Sequence, residues 1–132
     1  MDRGNNGILA DTSIWIDFFK PASEIGNRLE AIIMENSVWV SGIVILELVQ
    51  GVRSEEEKTK ILETLSSLKY AEMTKSLWQK SGELSSALRK KGVTIPLSDI
   101  ILAAISIEYN LQIFTIDKHF KDIPGVKLYP VI

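Results

Sequence analysis

Four acidic residues interrupt apolar stretches of this sequence, whereas most of its 17 acids lie in polar surroundings. Asp11 and Asp117 each end an apolar run, Glu47 lies inside one, and Asp99 precedes one. Carboxylates held together repel one another and raise one another's pKa, so a fold keeps such a cluster where a cation fills it. Because the chain has no cysteine and one histidine, oxygen-ligated Mg²⁺ or Mn²⁺ is the favoured cation. Such ions activate water and neutralise phosphate charge, so the four acids indicate phosphoryl-transfer hydrolysis.

Each of these acids also has a purely structural interpretation. Asp11 is a good helix N-cap, Asp99 suits the positive end of a helix dipole, and Asp117 suits a turn. Glu47 is the hardest to explain in this way, because apolar residues surround it and it has no cap to make. The functional interpretation therefore depends on the four acids lying together.

Two more acids with apolar neighbours are not assigned to the site. Asp17 projects from the middle of the first predicted helix, where we expect it to face solvent or to pair with a base. Glu108 lies near the end of a later predicted helix and is expected to be exposed.

The apolar periodicity predicts strands that alternate with amphipathic helices. The predicted strands are 8–10, 37–41, 68–73, 111–117 and 126–132, and the predicted helices are 14–19, 23–36, 43–53, 54–65, 74–91 and 98–110. This order predicts an α/β fold, a three-layer α/β/α sandwich with a mostly parallel central sheet, and Pro130 places the last strand at an edge. In such sheets, sites form at the carboxyl ends of the strands. Asp11 and Asp117 are predicted at strand ends and Glu47 and Asp99 in the first turns of helices, so the four acids can converge on one site.

Length and composition indicate one globular domain over residues 1–132, with residues 1–6 expected to be flexible. The polar start predicts no signal peptide, and no apolar run reaches the roughly 18 residues of a membrane span. We therefore expect a cytoplasmic protein without a membrane partner. The net charge of −2 means that a nucleic acid would have to be held by a local basic patch or bridged by bound cations.

The segments ILADTSIWIDFF, VSGIVILELVQGVR and IPLSDIILAAISIEYNLQIFTID, in this order and spacing, resemble a PIN domain, in particular the small VapC-type toxins of toxin–antitoxin pairs. The resemblance covers roughly residues 7–130. It implies a parallel sheet with helices on both faces and a Mg²⁺- or Mn²⁺-dependent endoribonuclease that cleaves RNA. The metal-site acids that it implies are Asp11, Glu47, Asp99 and Asp117.

The resemblance also implies supporting residues and partners. Hydroxyls at Thr12 or Ser13 and at Thr115 would orient carboxylates or waters. A homodimer is implied, together with a cognate antitoxin whose C-terminal segment covers the acidic cleft, often with a basic side chain.

The sequence departs from the family pattern after the last acid. Many relatives read Thr-Arg-Asp with another acid two residues later, whereas here Ile116 precedes Asp117 and His119 follows it. We expect His119 to be a surface turn residue rather than a substrate contact.

Basic and aromatic residues allow a functional and a structural interpretation. Cations near the motif ends could contact phosphate: Lys20, Arg53, Lys118 and Lys121. The run Arg89–Lys91 is expected to be a solvated helix C-terminus. The tryptophans lie on apolar faces and are expected in the core: Trp15, Trp39 and Trp78.

Two alternative functions stay open at this point. The first is an aspartate-based phosphoryl-transfer domain, but Ser13 stands where haloacid-type phosphatases need a second Asp, and a receiver domain needs paired acids on its first strand. Labelling of Asp11 by acetyl phosphate would favour it. The second is a non-catalytic PIN-like module that binds RNA or protein, which should not require a divalent metal.

Overall fold

The structure, a computed structural model, describes residues 7–130. The flexible segment expected at residues 1–6 lies outside these residues, as do the last two residues of the strand predicted over 126–132.

Within residues 7–130, the fold consists of five short strands and six α-helices. The strands are β1 (Ile8–Ala10), β2 (Val38–Ser41), β3 (Lys69–Ala71), β4 (Gln112–Phe114) and β5 (Lys127–Leu128). The helices are α1 (Thr12–Phe18), α2 (Glu24–Met34), α3 (Gly42–Gln50), α4 (Glu55–Ser66), α5 (Lys75–Lys90) and α6 (Leu97–Glu108), and a 3₁₀ helix follows β4 at Lys118–Asp122.

Side-chain caps fix where several helices begin. The hydroxyls of Ser23, Ser54 and Thr74 each accept a hydrogen bond from the backbone N–H three residues later, so these residues are the N-caps of their helices. The Glu57 carboxylate accepts from the backbone N–H of Arg53 at 2.7 Å, one residue earlier than in a standard capping box. The local sequence therefore sets the start of α2, α4 and α5.

The strands form one sheet in the order β3-β2-β1-β4-β5, and every pair is parallel. The chain moves from β1 through β2 to β3 in one direction and returns across the sheet to β4. Connections between parallel strands are right-handed, so connections that run in opposite directions across the sheet lie on opposite faces. The helices α1–α4 therefore lie on one face of the sheet, and α5 and α6 lie on the other. The predicted three-layer sandwich is confirmed, β5 lies at an edge as Pro130 indicated, and the order reverses between β1 and β4.

The core lies between the sheet and its helices. Fully buried side chains include Trp15 of α1, Ile105 of α6 and Phe114 of β4. Trp39 is partly buried and packs against Tyr109, with ring centroids 5.7 Å apart. The prediction that Trp78 belongs to the core is wrong, because 55% of its surface is exposed on α5.

The fourth strand is shorter than the sequence predicted. It ends at Phe114, and Asp117 caps the 3₁₀ helix instead of closing the strand. The hydroxyl of Thr115 accepts a hydrogen bond from the backbone N–H of Asp117 at 2.9 Å. Such side-chain bonds to the backbone compete with the sheet ladder.

Within residues 7–130, we find no helix with both the length and the apolarity needed to cross a bilayer.

Candidate metal centre

The candidate site lies where the strand order reverses, at the carboxyl ends of β1 and β4. These strands pair in parallel with Ala10 opposite Phe114, and the backbone N–H of Asp11 donates to the carbonyl of Phe114 at 3.0 Å. The residues that follow the two strands, Asp11 and Thr115, therefore lie side by side. In open parallel sheets this reversal leaves a crevice in which ligands bind.

Asp11 is buried and accepts hydrogen bonds through both carboxylate oxygens. One oxygen accepts from the hydroxyl of Ser13 at 2.7 Å and from the backbone N–H of Ile14 at 3.2 Å, so Asp11 also caps α1. The other oxygen accepts from the hydroxyl of Thr115. The structural and the functional interpretation of Asp11 are thus compatible, since the cap itself fixes the carboxylate.

Thr115 connects Asp11 to the segment that carries Asp117. Its hydroxyl donates to Asp11 and accepts from the backbone N–H of Asp117. The carboxylate of Asp117 in turn accepts from the backbone N–H of His119 at 2.8 Å, at the start of the 3₁₀ helix. One chain of hydrogen bonds therefore fixes the position of both acids.

Glu47 approaches the site from α3 and is oriented by α1. Its carboxylate accepts a hydrogen bond from the hydroxyl of Thr12, the residue after Asp11. Glu47 is half-buried and lines the groove beside α1, whereas Val44 and Leu48 of the same helix are buried in the core.

Asp99 lies in the first turn of α6 and meets His119 across the crevice. The Nδ1 atom of His119 is 3.0 Å from a carboxylate oxygen of Asp99 and 3.1 Å from one of Asp117. The imidazole therefore bridges two carboxylates that come from different elements. His119 lies two residues beyond the last predicted acid and is the only histidine in the sequence.

Burial and neighbouring charges alter the protonation of Asp99 and His119. Burial raises the pKa of Asp99, the charges of Asp117 and Asp11 raise it further, and the hydrogen bond from His119 opposes this rise. The same hydrogen bond, together with the charge of Asp117, raises the pKa of His119. The predicted mutual repulsion of the acids is thus present at Asp99, although burial is the larger cause.

A buried hydroxyl without a partner lies at the same edge of the sheet. Ser41 is the last residue of β2. Leu9 of β1 pairs with Trp39 of β2, and two residues further along both strands the same register places Ser41 level with Asp11. Its hydroxyl is fully buried and finds no hydrogen-bond partner among the described residues. Such groups are commonly satisfied by an ordered water or a ligand.

The donor set at the crevice fits a divalent cation. Among residues 7–130, one group offers ligand atoms within 4.8 Å of one another, formed by Asp99, Asp117 and His119. Asp11 is connected to this group through Thr115, whereas the described contact of Glu47 is with Thr12. The structure thus brings two of the four predicted acids, Asp99 and Asp117, directly together with His119, while Asp11 and Glu47 are connected to the site through the hydroxyls of Thr115 and Thr12.

His119 is a member of the site that the sequence pattern does not predict. A lone histidine after a strand suggested a surface turn, and half of its side chain is indeed exposed. The available signal was its position, two residues after Asp117, where many relatives carry another acid.

The two acids left out of the site pair with lysines elsewhere. Asp17 lies 3.6 Å from the ammonium of Lys20, and Glu108 lies 2.9 Å from that of Lys80. These pairs match the expectation of solvent-facing acids.

A groove of about 420 Å³ extends from Glu47 between α1, α3 and α4. Lys20 and Arg53 line it together with apolar side chains that include Phe19 and Val52. The basic run at the end of α5, Arg89–Lys91, is exposed, in keeping with a solvated helix C-terminus.

Known proteins resemble this chain in both sequence and fold. The family model of the PIN domain matches residues 8–126. Ribonuclease VapC2 of Rickettsia felis is 32% identical over 107 residues, which cover 77% of this chain and 80% of that protein. The crystal structure of VapBC2 from Rickettsia felis bound to a promoter DNA fragment matches with a TM-score of 0.79 at 28% identity, over 92% of this chain and 96% of that chain. A toxin–antitoxin complex from Klebsiella pneumoniae matches with a TM-score of 0.71 at 28% identity, over 95% of this chain and all 100% of that chain.

Proposed function

Because the chain belongs to the PIN domain family, we propose that it is a divalent-metal-dependent endoribonuclease, the toxin of a type II toxin–antitoxin pair. A relative that matches most of its length is named a VapC ribonuclease, and similar solved structures are toxin–antitoxin complexes. RNA is the proposed substrate class, and the proposed location is the cytoplasm.

The observation that carries this proposal is the set of carboxylates at the crevice between β1 and β4. Asp11, Asp99 and Asp117 come from three different elements, and each accepts hydrogen bonds that fix its orientation. The donor set suits Mg²⁺ or Mn²⁺, which would supply activation of water and neutralisation of phosphate charge. Clustered acids of which Asp11 is buried and Asp99 and Asp117 are partly buried would instead cost free energy without a cation.

The protein residues have distinct tasks in this proposal. Asp11, Glu47, Asp99 and Asp117 hold the metal. Thr115 keeps Asp11 and Asp117 in a fixed relation, and the hydroxyls of Thr12 and Ser13 orient Glu47 and Asp11. Lys20 and Arg53, on the groove beside Glu47, are candidates to contact phosphates that flank the cleavage site.

The proposed partners are a cognate antitoxin and a second copy of this chain. An antitoxin segment that covers the crevice with a basic side chain would compensate the charge of the acids. The similar solved structures from Rickettsia felis and Klebsiella pneumoniae, VapBC2 and a toxin–antitoxin complex, support such a partner.

The first test is cleavage of RNA by the purified wild-type protein, freed of any antitoxin. Discrete RNA fragments should form with Mg²⁺ or Mn²⁺ and should be absent with EDTA. Asp11→Asn should abolish cleavage, because the variant removes one carboxylate charge at the metal site.

Asp17→Asn is the matched control, since Asp17 is an acid of the same segment that pairs with Lys20 at the surface. It should cleave as the wild type does. Equal cleavage by wild type and a folded Asp11→Asn variant, or cleavage that EDTA leaves intact, would refute the metal-nuclease proposal. Metal-independent RNA binding without cleavage would favour the non-catalytic binding module.

A further inference from the structure

We propose that His119 is itself a metal ligand, and that this imidazole makes the site prefer Mn²⁺ over Mg²⁺. The inference rests on the proposed function only in that it places the ion at the same crevice. His119 is neither one of the four acids nor one of the residues whose hydroxyl groups contact them.

The backbone holds His119 in place although its side chain is half-exposed. Its backbone N–H donates to Asp117 at 2.8 Å, which fixes the residue in the first turn of the 3₁₀ helix. The next residue, Phe120, is only 1% exposed and anchors this helix in the core. The fold therefore sets the backbone position of His119, from which the imidazole contacts Asp99 and Asp117.

The separations of the ligand atoms suit a cation. Nδ1 lies 3.0 Å from the oxygen of Asp99 and 3.1 Å from that of Asp117. Neighbouring ligands of an octahedral ion with bonds of about 2.1 Å are roughly 3 Å apart. The ligand atoms of Asp99, Asp117 and His119 can therefore bind one ion, which would replace the proton on Nδ1.

The other ring nitrogen is free to carry the remaining proton. In the described part of the chain, the hydrogen bonds of His119 involve its backbone N–H and Nδ1, and none reaches Nε2. The neutral tautomer with the proton on Nε2 leaves the Nδ1 lone pair directed at Asp99 and Asp117.

An imidazole among carboxylates changes which cation the site selects. Mg²⁺ prefers oxygen ligands and dehydrates reluctantly, whereas nitrogen ligands raise the affinity for transition-metal ions. A site with two carboxylates and one imidazole should therefore bind Mn²⁺ more tightly than Mg²⁺, and replacement of the imidazole should reduce this difference.

The single histidine makes a direct test possible. Full-length protein without a histidine tag would be labelled with ¹⁵N-histidine and loaded with Mn²⁺ for pulsed electron paramagnetic resonance. A ¹⁵N coupling to the bound Mn²⁺ can come only from His119. We expect this coupling in the wild type and its loss in His119→Asn, with Mn²⁺ affinity reduced by about tenfold or more and Mg²⁺ affinity changed less.

Lys118→Gln is the matched control, because it changes a neighbouring exposed residue of the same 3₁₀ helix and should retain the coupling. Bound Mn²⁺ without the ¹⁵N coupling, in a protein that still cleaves RNA, would overturn the His119 assignment and leave the ribonuclease proposal intact. The coupling in a protein that cleaves no RNA would support His119 as a ligand while the ribonuclease proposal fails. Equal loss of Mg²⁺ and Mn²⁺ affinity in His119→Asn would overturn the selectivity.

Discussion

At the scale of single residues, the hydroxyl of Thr115 has an unusual position, because it contacts two of the candidate metal-binding acids. It donates to the carboxylate of Asp11 and accepts from the backbone N–H of Asp117. Neither the carboxylate of Asp11 nor the backbone of Asp117 can shift without breaking a bond to this one side chain. The geometry of the crevice therefore depends on a residue that carries no charge.

Thr115→Val should reduce RNA cleavage by about 10- to 100-fold, because the loss of an orienting partner typically weakens a metal site by this factor. The valine keeps the shape of the buried side chain, so circular dichroism should show an intact fold. Thr64→Val is the control, since the Thr64 hydroxyl bonds to the Lys60 carbonyl within α4, and it should cleave normally. Unchanged cleavage by Thr115→Val would mean that Asp11 and Asp117 hold their positions without it.

The His119 contact also predicts how the stability of the metal-free protein depends on pH. Because the folded protein raises the pKa of His119 above its ordinary value of 6.5, the charged imidazole stabilises the fold. This contribution is fully present below pH 6.5 and is lost as the pH rises through the raised folded value. In EDTA, wild type should exceed His119→Asn in free energy of unfolding more at about pH 5.5 than at about pH 9.

The control for this comparison is Lys121→Gln, which replaces another exposed cation of the same 3₁₀ helix. Its difference from wild type should be nearly constant. A pH-independent difference for His119→Asn would show that the imidazole gains nothing from Asp99 and Asp117.

At the scale of helices and strands, two glycines within helices differ in how much space surrounds the position of a Cβ atom. A Cβ at Gly26 of α2 would lie 2.9 Å from the carbonyl oxygen of Asp17 and 2.9 Å from the Cα of Phe18. Gly82 of α5 has no atom within 4 Å of such a Cβ. Only glycine therefore lets α2 pack directly on the backbone of α1, the helix that begins beside Asp11.

Gly26→Ala should lower the free energy of unfolding by about 1–3 kcal/mol, because the backbone of α1 must move to admit the methyl group. Gly82→Ala should raise it by about 0.5–1 kcal/mol, because alanine loses less backbone entropy in a helix. Urea denaturation of both variants measures these changes. Stabilisation by both substitutions would contradict the close packing of α1 and α2.

The order and type of the elements were largely predictable, whereas the end of β4 was not. The alternation of apolar runs and capped helices determines a parallel α/β sheet, and caps such as Ser54 locate helix starts well. The apolar run through Phe114 continues in sequence to Ile116, but the Thr115 hydroxyl bonds to the backbone of Asp117 and the chain turns. Apolar periodicity does not report this local competition.

At the scale of the whole molecule, a bound cation should stabilise the fold as a unit. The burial of Asp99 near other acids raises its pKa, so its charged form destabilises the metal-free protein at neutral pH. A ligand that binds only the folded state adds about 2.7 kcal/mol at 100 times its dissociation constant. Mn²⁺ should therefore raise the melting temperature in a concentration-dependent way, as measured by calorimetry.

Asp99→Asn should melt at a higher temperature than wild type in EDTA and should gain less from Mn²⁺. The amide removes a desolvated charge and also removes a ligand. Asp17→Asn, at the surface, should behave as wild type in both conditions. A full Mn²⁺ response in Asp99→Asn would exclude Asp99 from the metal site.

The site as a whole was predictable to the extent that it follows from strand ends. In a parallel sheet, Asp11 and the residues after β4 lie at the same edge, so their proximity was predictable. The position of Asp99 was predictable because it lies at the start of a buried helix. The participation of His119 depends on the turn of the 3₁₀ helix, which returns the imidazole to Asp99. A contact of this kind arises only in three dimensions and has no periodic signal in the sequence.

The hydrogen bond between Thr115 and Asp11 joins residues that are 104 positions apart. During synthesis on the ribosome, Asp11 therefore emerges 104 residues before Thr115. A nascent chain that stops before β4 and the 3₁₀ helix lacks an assembled crevice, however well its first helices have formed. For an enzyme proposed to cleave RNA, this order of assembly delays activity until the residues of the 3₁₀ helix have been made.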